Sequence, residues 1–234
     1  MRRTAVQTGV YPMVDPALFR RPSFSLGTLQ VTVYMAAMPA AFAVVAMFAQ
    51  EGLGLSPFLA GVSTLGSALM VVSLSAWIGA RVDRFGPWFV FAGGVLAVVS
   101  ALLLILAFAR VTDGSWPFWT VALILLPQGV SQALIMTSTQ VLMMDDVAPR
   151  EAGAAGGVSQ TIQRIGTSTG IAAVTGVYFV TAAGMRDASA REASGAAAVD
   201  ALWVVLACWS VVLAIGAADL IRRALQRRRE RGAA

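Results

Sequence analysis

Six long apolar runs alternate with short polar breaks along this chain. They cover Leu26–Ala49, Pro57–Ile78, Pro87–Phe108, Phe118–Met144, Ala154–Ala182 and Ala201–Ile221. About 20 apolar residues cross a bilayer core as a helix, and every run reaches that length. In lipid the backbone must satisfy its own hydrogen bonds, which leaves helices as the form for such runs. The pattern therefore predicts an all-α membrane protein of six transmembrane helices with no soluble globular domain. A basic segment, residues 1–25, precedes the bundle, and a basic tail, residues 222–234, follows it. Four of the five breaks are short: Gln50–Ser56, Gly79–Gly86, Ala109–Pro117 and Asp145–Gly153. The fifth, Ala183–Asp200, is long and rich in Ala, Ser and Gly, and reads as a flexible surface loop.

Composition strengthens this reading. Of 234 residues 58% are hydrophobic and 12% charged, about half the charge of a soluble domain. The net charge of +5 does not point to nucleic acid, because the arginines sit between and after the apolar runs rather than among aromatics. They set an orientation instead. With an even number of spans, one side carries four arginines before the first span, two in Gly79–Gly86, Arg150 and six in the tail. The other side carries Arg110, Arg186 and Arg191. Positive charge marks the cytoplasmic side, so both termini are expected in the cytoplasm of a multi-pass protein of the cell's inner membrane. Residues 1–25 lack the apolar stretch of a cleavable signal. Arg222–Arg231 reads as a topology anchor.

The spans differ in polarity. The third holds Ser100 as its one polar residue and the sixth only Cys208 and Ser210 before Asp219 at its end, which suits lipid on most faces. The first carries Thr28, Gln30, Thr32 and Tyr34, and the second several serines. On the fourth, Gln128, Gln132 and Thr139 fall within about 40° of one another, and Ser131 and Ser138 widen the arc to roughly 120°. Such a stripe faces a neighbouring helix or a water-filled cavity. The fifth carries Ser159, Gln160, Gln163, Arg164 and Thr167. Arg164 either snorkels to the cytoplasmic interface or turns inward to a cavity or partner helix. The same helix has Gly153, Gly156, Gly157, Gly166 and Gly170, which permit close packing. Candidates for the lining of a polar pathway are Gln30, Tyr34, Gln128, Gln132, Thr139, Gln160 and Arg164.

Several function classes drop out. The chain has no His, Lys or Asn, so Gly61–Ser63 and Gly157–Ser159 have no histidine base to activate a serine. No Cys/His set can hold zinc, no P-loop lysine is present, and no cofactor is implied. The lone Cys208 cannot form a disulfide within the chain and reads as an inert apolar residue. The acids lie at span ends or in breaks, among them Glu51, Asp83, Asp113, Asp145, Asp146, Glu151, Asp200 and Asp219.

Four stretches resemble a known family. Gly79–Gly86, GARVDRFG, resembles the G-x-x-x-D-R-x-G loop signature of the major facilitator superfamily, which follows the second helix of each half on the cytoplasmic side. Pro87 and Trp88 stand where that family continues with basic residues. Pro16–Phe24 (PALFRRPSF) and Gly54–Gly61 (GLSPFLAG) look like the opening and first outer turn of the last six helices in the 14-helix drug:proton antiporter branch. Val147–Gly153 (VAPREAG) followed by Thr161–Gly166 (TIQRIG) looks like that branch's approach to its penultimate helix. Here Gln163 precedes Arg164, the reverse of the family's order, which turns the arginine by roughly 100°.

The resemblance implies the C-terminal six-helix half of a multidrug efflux antiporter that exports amphipathic small molecules. It also implies a gating loop at Gly79, Asp83, Arg84 and Gly86, and peripheral third and sixth helices. A missing N-terminal half or a second copy would complete the pathway, whose site lies between two bundles. The alternative is a six-helix membrane fragment or partner-binding module that does not transport.

Overall fold

A computed structural model describes residues 16–145 and 147–232. The expectations for residues 1–15 and for Asp146 lie outside the described residues. A 3₁₀ turn, Pro16–Arg20, leads into six helices. They are α1 (Pro22–Met47), α2 (Pro57–Gly79), α3 (Val82–Thr112), α4 (Trp119–Leu142), α5 (Ala152–Gly184) and α6 (Ala190–Gly232). A π-helical turn, Phe48–Gly52, extends α1 at its C-terminal end. All six are long and apolar enough to cross a membrane.

Local chemistry sets several ends. Pro22 and Pro57 occupy first-turn positions, where a missing N–H costs nothing. The Ser56 hydroxyl accepts from the Leu59 N–H at 3.4 Å. The Ala-rich stretch expected as a flexible loop is instead the first part of α6. Ser189 and Glu192 form a reciprocal cap: the Ser189 N–H and hydroxyl donate to Glu192 Oε2 at 3.0 and 2.7 Å, and the Glu192 N–H donates to Ser189 Oγ at 3.3 Å. That S-x-x-E spacing is a helix-start signal, and alanine is the best helix former. The break expected at Gly79–Gly86 also shrinks. Only Ala80 and Arg81 separate α2 from α3, and Pro87 lies inside α3 rather than opening it.

The helices form an arc in the order α2, α4, α3, α6, α5, with α1 filling its hollow against α5, α6 and, more lightly, α4 and α2. Half of the most apolar stretch of α1 is buried. Its residues Val31, Tyr34, Ala37, Ala41, Val44 and Phe48 recur at helical spacing and are buried. Phe48 meets Phe108 edge-on with ring centroids 4.8 Å apart, and Tyr34 stacks on Trp209 at 6.1 Å.

Within the bundle the third helix is more covered than α2 or α5. Over comparable stretches α3 is 39% buried, α2 17% and α5 11%. Small residues explain this, because Gly93, Gly94, Ala97 and Ala101 let α3 press against α4 and α6. A Cβ at Gly93 would lie 2.7 Å from Ile135 Cγ1, and one at Gly94 would lie 3.1 Å from Leu213 Cα. The outer side of α3, with Val95, Val99, Leu102 and Leu106, stays exposed and apolar. The helices that the bundle leaves most uncovered are α2 and α5.

Candidate functional site

The polar residues of α1 and α4 meet inside the bundle. Gln128 Nε2 donates to the Tyr34 hydroxyl at 3.2 Å, joining two residues 94 positions apart. Ser131 Oγ donates to the Gly93 carbonyl at 2.8 Å, and Gln30 Nε2 donates to the Val212 carbonyl at 3.2 Å. Tyr34, Gln128, Ser131 and Thr139 are all buried, and Gln132 is half-buried. The seam is not fully paired: Gln128 Oε1, Thr139 Oγ1, Ser138 Oγ and Trp209 Nε1 are buried with no partner among the described residues. Each such group costs about 1–3 kcal/mol where nothing hydrates it.

Gln30 and Thr139 also line a small cleft at the end of the bundle where α1 and α3 begin and α4 finishes, beside α6. Its walls include Ser23, Leu142, Asp219 and Arg223, and it encloses about 30 Å³, room for about two waters. Asp219 is clasped by Arg222 at 3.0 Å and Arg223 at 2.7 Å. On the adjoining side Arg21 reaches Glu151 at 2.8 Å, tying the start of α1 to the start of α5.

Gln160 and Arg164 lie elsewhere. The inner face of α5 carries Ala155, Ser159, Gln163, Val174 and Tyr178. Its glycines Gly166 and Gly170 cross Thr32 and Ala36 of α1. Gln163 Nε2 donates to Ser159 Oγ at 2.9 Å on that face. Gln160, Thr161, Arg164 and Ser168 are exposed on the opposite face, and around Gly153, Gly156 and Gly157 there is open space. Arg164 forms no ion pair among the described residues. An arginine at this depth costs at least about 2.5–3.5 kcal/mol against lipid. Tyr34 and Gln128 thus come together, as do Gln30 and Thr139, whereas Gln160 and Arg164 join neither pair.

The loop signature is laid out at the same end of the bundle, where α2 finishes and α3 begins. Gly79 closes α2, and Asp83 is exposed in the first turn of α3, where the helix dipole favours a carboxylate. The Arg84 guanidinium lies over the Phe85 ring at 5.1 Å, and Arg81 over Trp77 at 4.3 Å. A Cβ at Gly86 would come within 3.2 Å of Leu142, so the last glycine of the signature sets how closely α3 approaches α4.

The polarity of single spans does not reveal the contacts at the opposite end of the bundle. The Tyr178 hydroxyl reaches Glu51 Oε2 at 3.5 Å, and Thr181 donates to Asp200 at 2.9 Å. Gln163 was legible through its phase, since it recurs at four-residue spacing with Ala155 and Ser159.

Six membrane-length helices, packed as one arc with polar groups inside it and along α5, define a multi-pass membrane protein built as a single six-helix bundle. The profile of the Major Facilitator Superfamily matches residues 5–171, and the chain belongs to that superfamily. It is 27% identical over 165 residues to an uncharacterized MFS-type transporter of Mycobacterium tuberculosis, covering 70% of this chain and 28% of that protein. It is 26% identical over 174 residues to the tetracenomycin C resistance and export protein of Streptomyces glaucescens, covering 74% and 31%. It is also 27% identical over 154 residues to the putative multidrug resistance protein MdtD of Salmonella newport, covering 66% and 32%. The matched regions take in less than a third of each relative's length.

Proposed function

We propose that this bundle is the C-terminal half of a multidrug efflux proton antiporter, of the 14-helix drug:proton branch, that exports amphipathic small molecules. It works against a second bundle from outside these 234 residues, in the cell's inner membrane with both termini cytoplasmic. One observation carries the reading. The polar face of α5, with Gln160, Thr161, Arg164 and Ser168, is covered by nothing in the bundle, and lipid is a poor neighbour for it. A pathway wall between two bundles supplies the water and partner groups that such a face requires. The arginine distribution supports the orientation, and the export function named for the tetracenomycin C relative supports the direction of transport. With no histidine or lysine in the chain, the polar groups suit binding and gating rather than enzymatic chemistry.

A second reading, a partner-binding module that does not transport, draws on the acids. Glu51, Asp113 and Glu151 lie at helix ends, and Asp200 and Asp219 flank the apolar stretch of α6, so the described residues bring no mid-membrane carboxylate to carry a proton. The two readings separate in vesicles with an imposed pH gradient. The purified chain alone should not move drug. The chain fused behind the N-terminal helices of the tetracenomycin exporter should export drug in a gradient-dependent way. Movement by the chain alone refutes the need for a second bundle, and a folded, inserted but inert fusion refutes the transporter reading. Phe85→Cys in a Cys208→Ser background should label from the cytoplasmic side, and external labelling overturns the orientation.

A further inference from the structure

The outward face of α5 changes character along its length. In its inner half, Gly157, Gln160, Thr161, Arg164 and Ser168 fall within about 100° of the helix circumference, all exposed or bordering open space. Farther out, Ala172 and Phe179 border the same side, also exposed. With 33 residues, α5 is about 50 Å long. Centred on a hydrocarbon core of about 30 Å, it holds Arg164 roughly 8 Å inside the cytoplasmic edge. A strip of small and hydroxyl residues leads to that depth from the cytoplasm, and an apolar strip continues beyond it.

Among the described residues no carboxylate neutralises the arginine. On the helices packed against α5, Glu51 stands at the outer end of α1 and Asp219 near the inner end of the membrane stretch of α6, where Arg222 and Arg223 hold it. Glu192 and Asp200 lie in the outer part of α6. Glu151, at the start of α5, is engaged by Arg21. A second copy would bring the same residues and hence no acid at this level. The face is therefore a net positive, hydrogen-bond-donating half-groove, and it is amphipathic along its axis.

We propose that Arg164, flanked by Gln160, Thr161 and Ser168, is an anion-recognising element. Its ligand is an amphiphile ending in a carboxylate or sulfonate, with the charged end at Arg164 and the apolar body along Ala172 and Phe179. A guanidinium binds such groups through charge-assisted, often bidentate hydrogen bonds. This rests on the reading of α5 as a pathway wall and adds the sign of the ligand's charge.

The test uses the full chain in phosphatidylcholine nanodiscs with two dansyl-tagged probes on one alkyl skeleton, one ending in a sulfonate and the other in an amine. The sulfonate should bind about tenfold or more tightly than the amine. Arg164→Gln should erase the difference, Arg164→Lys should keep part of it, and Arg186→Gln, in the outer break, should leave it intact. Saturable binding of both probes without preference, or a preference that survives Arg164→Gln, overturns the anion assignment and leaves the pathway reading standing. No saturable binding above empty discs overturns both. Loss of the Arg164-dependent binding when phosphatidylglycerol replaces phosphatidylcholine overturns the assignment in favour of a lipid-headgroup anchor. Helicity by circular dichroism confirms that each variant is folded.

Discussion

Adding one methyl group at Gly170 should act against the helix it strengthens. Alanine in place of glycine favours a helix by about 1 kcal/mol, and an open position on α5 should show that gain. At Gly170, however, a Cβ would lie 2.5 Å from the Ala36 carbonyl carbon and 2.6 Å from Ala36 Cα. Carbon contacts are comfortable at about 3.5–4.0 Å, so α5 and α1 must separate by roughly 1 Å. The obstructing atoms are backbone, and no rotamer change relieves them. Overpacking of this kind costs about 1–3 kcal/mol or more, and the separation also loosens the neighbouring Gly166–Thr32 contact. Gly170→Ala should therefore destabilise the bundle by about 1–2 kcal/mol after the propensity gain. Gly157→Ala, where a Cβ meets nothing within 4 Å, should be neutral or stabilising. Thermal unfolding in a mild detergent, followed by circular dichroism on both variants, reads the two signs side by side. If Gly170→Ala unfolds at or above the temperature of Gly157→Ala, the close α1–α5 crossing is wrong.

Three further outcomes follow from the contacts. Tyr34→Phe removes the partner of the Gln128 amide and should cost about 1–3 kcal/mol, whereas Gln128→Leu, which also removes an unpaired buried oxygen, should be close to neutral. Equal losses in detergent unfolding would refute the pairing. Ser189→Ala removes the hydroxyl of the α6 cap and should speed amide exchange in the first turn of α6 about fivefold, with Gly166 and its neighbours unaffected; an unchanged first turn would show that the cap does not hold the helix start. The Asp113 carboxyl is held below the ordinary carboxylate value first by the Ser115 hydroxyl and then by the Ser115 N–H, which approaches to 2.9 Å. A carboxyl lowered on folding stabilises the fold above its unfolded pKa and loses that contribution as pH falls through the folded pKa. Exchange of the Ser115 amide should therefore accelerate below about pH 4 in the native chain, and Asp113→Asn should remove that step.

The number and order of the membrane helices were legible because a run of about 20 apolar residues is a local property of the chain. The loop signature at Gly79–Gly86 and the family it resembles were legible for the same reason, as short motifs read in place. The S-x-x-E start of α6 was equally local, yet its alanine-rich surroundings read as a loop. Which face each helix presents is a different kind of fact. Ser100 is the one polar residue of the third span, and lipid suited it, but Gly93 and Gly94 let α3 sink between α4 and α6. Gln163 and Arg164 are adjacent in sequence and about 100° apart on α5, yet one is buried and the other exposed, because the Gly166–Gly170 strip docks on α1 and fixes the helix's rotation. Polarity shows that a side chain needs a partner. Only the packing of helices far apart in sequence decides which partner it meets, as the Gln128–Tyr34 bond across 94 residues shows. It also decides that Arg164 meets none within the bundle.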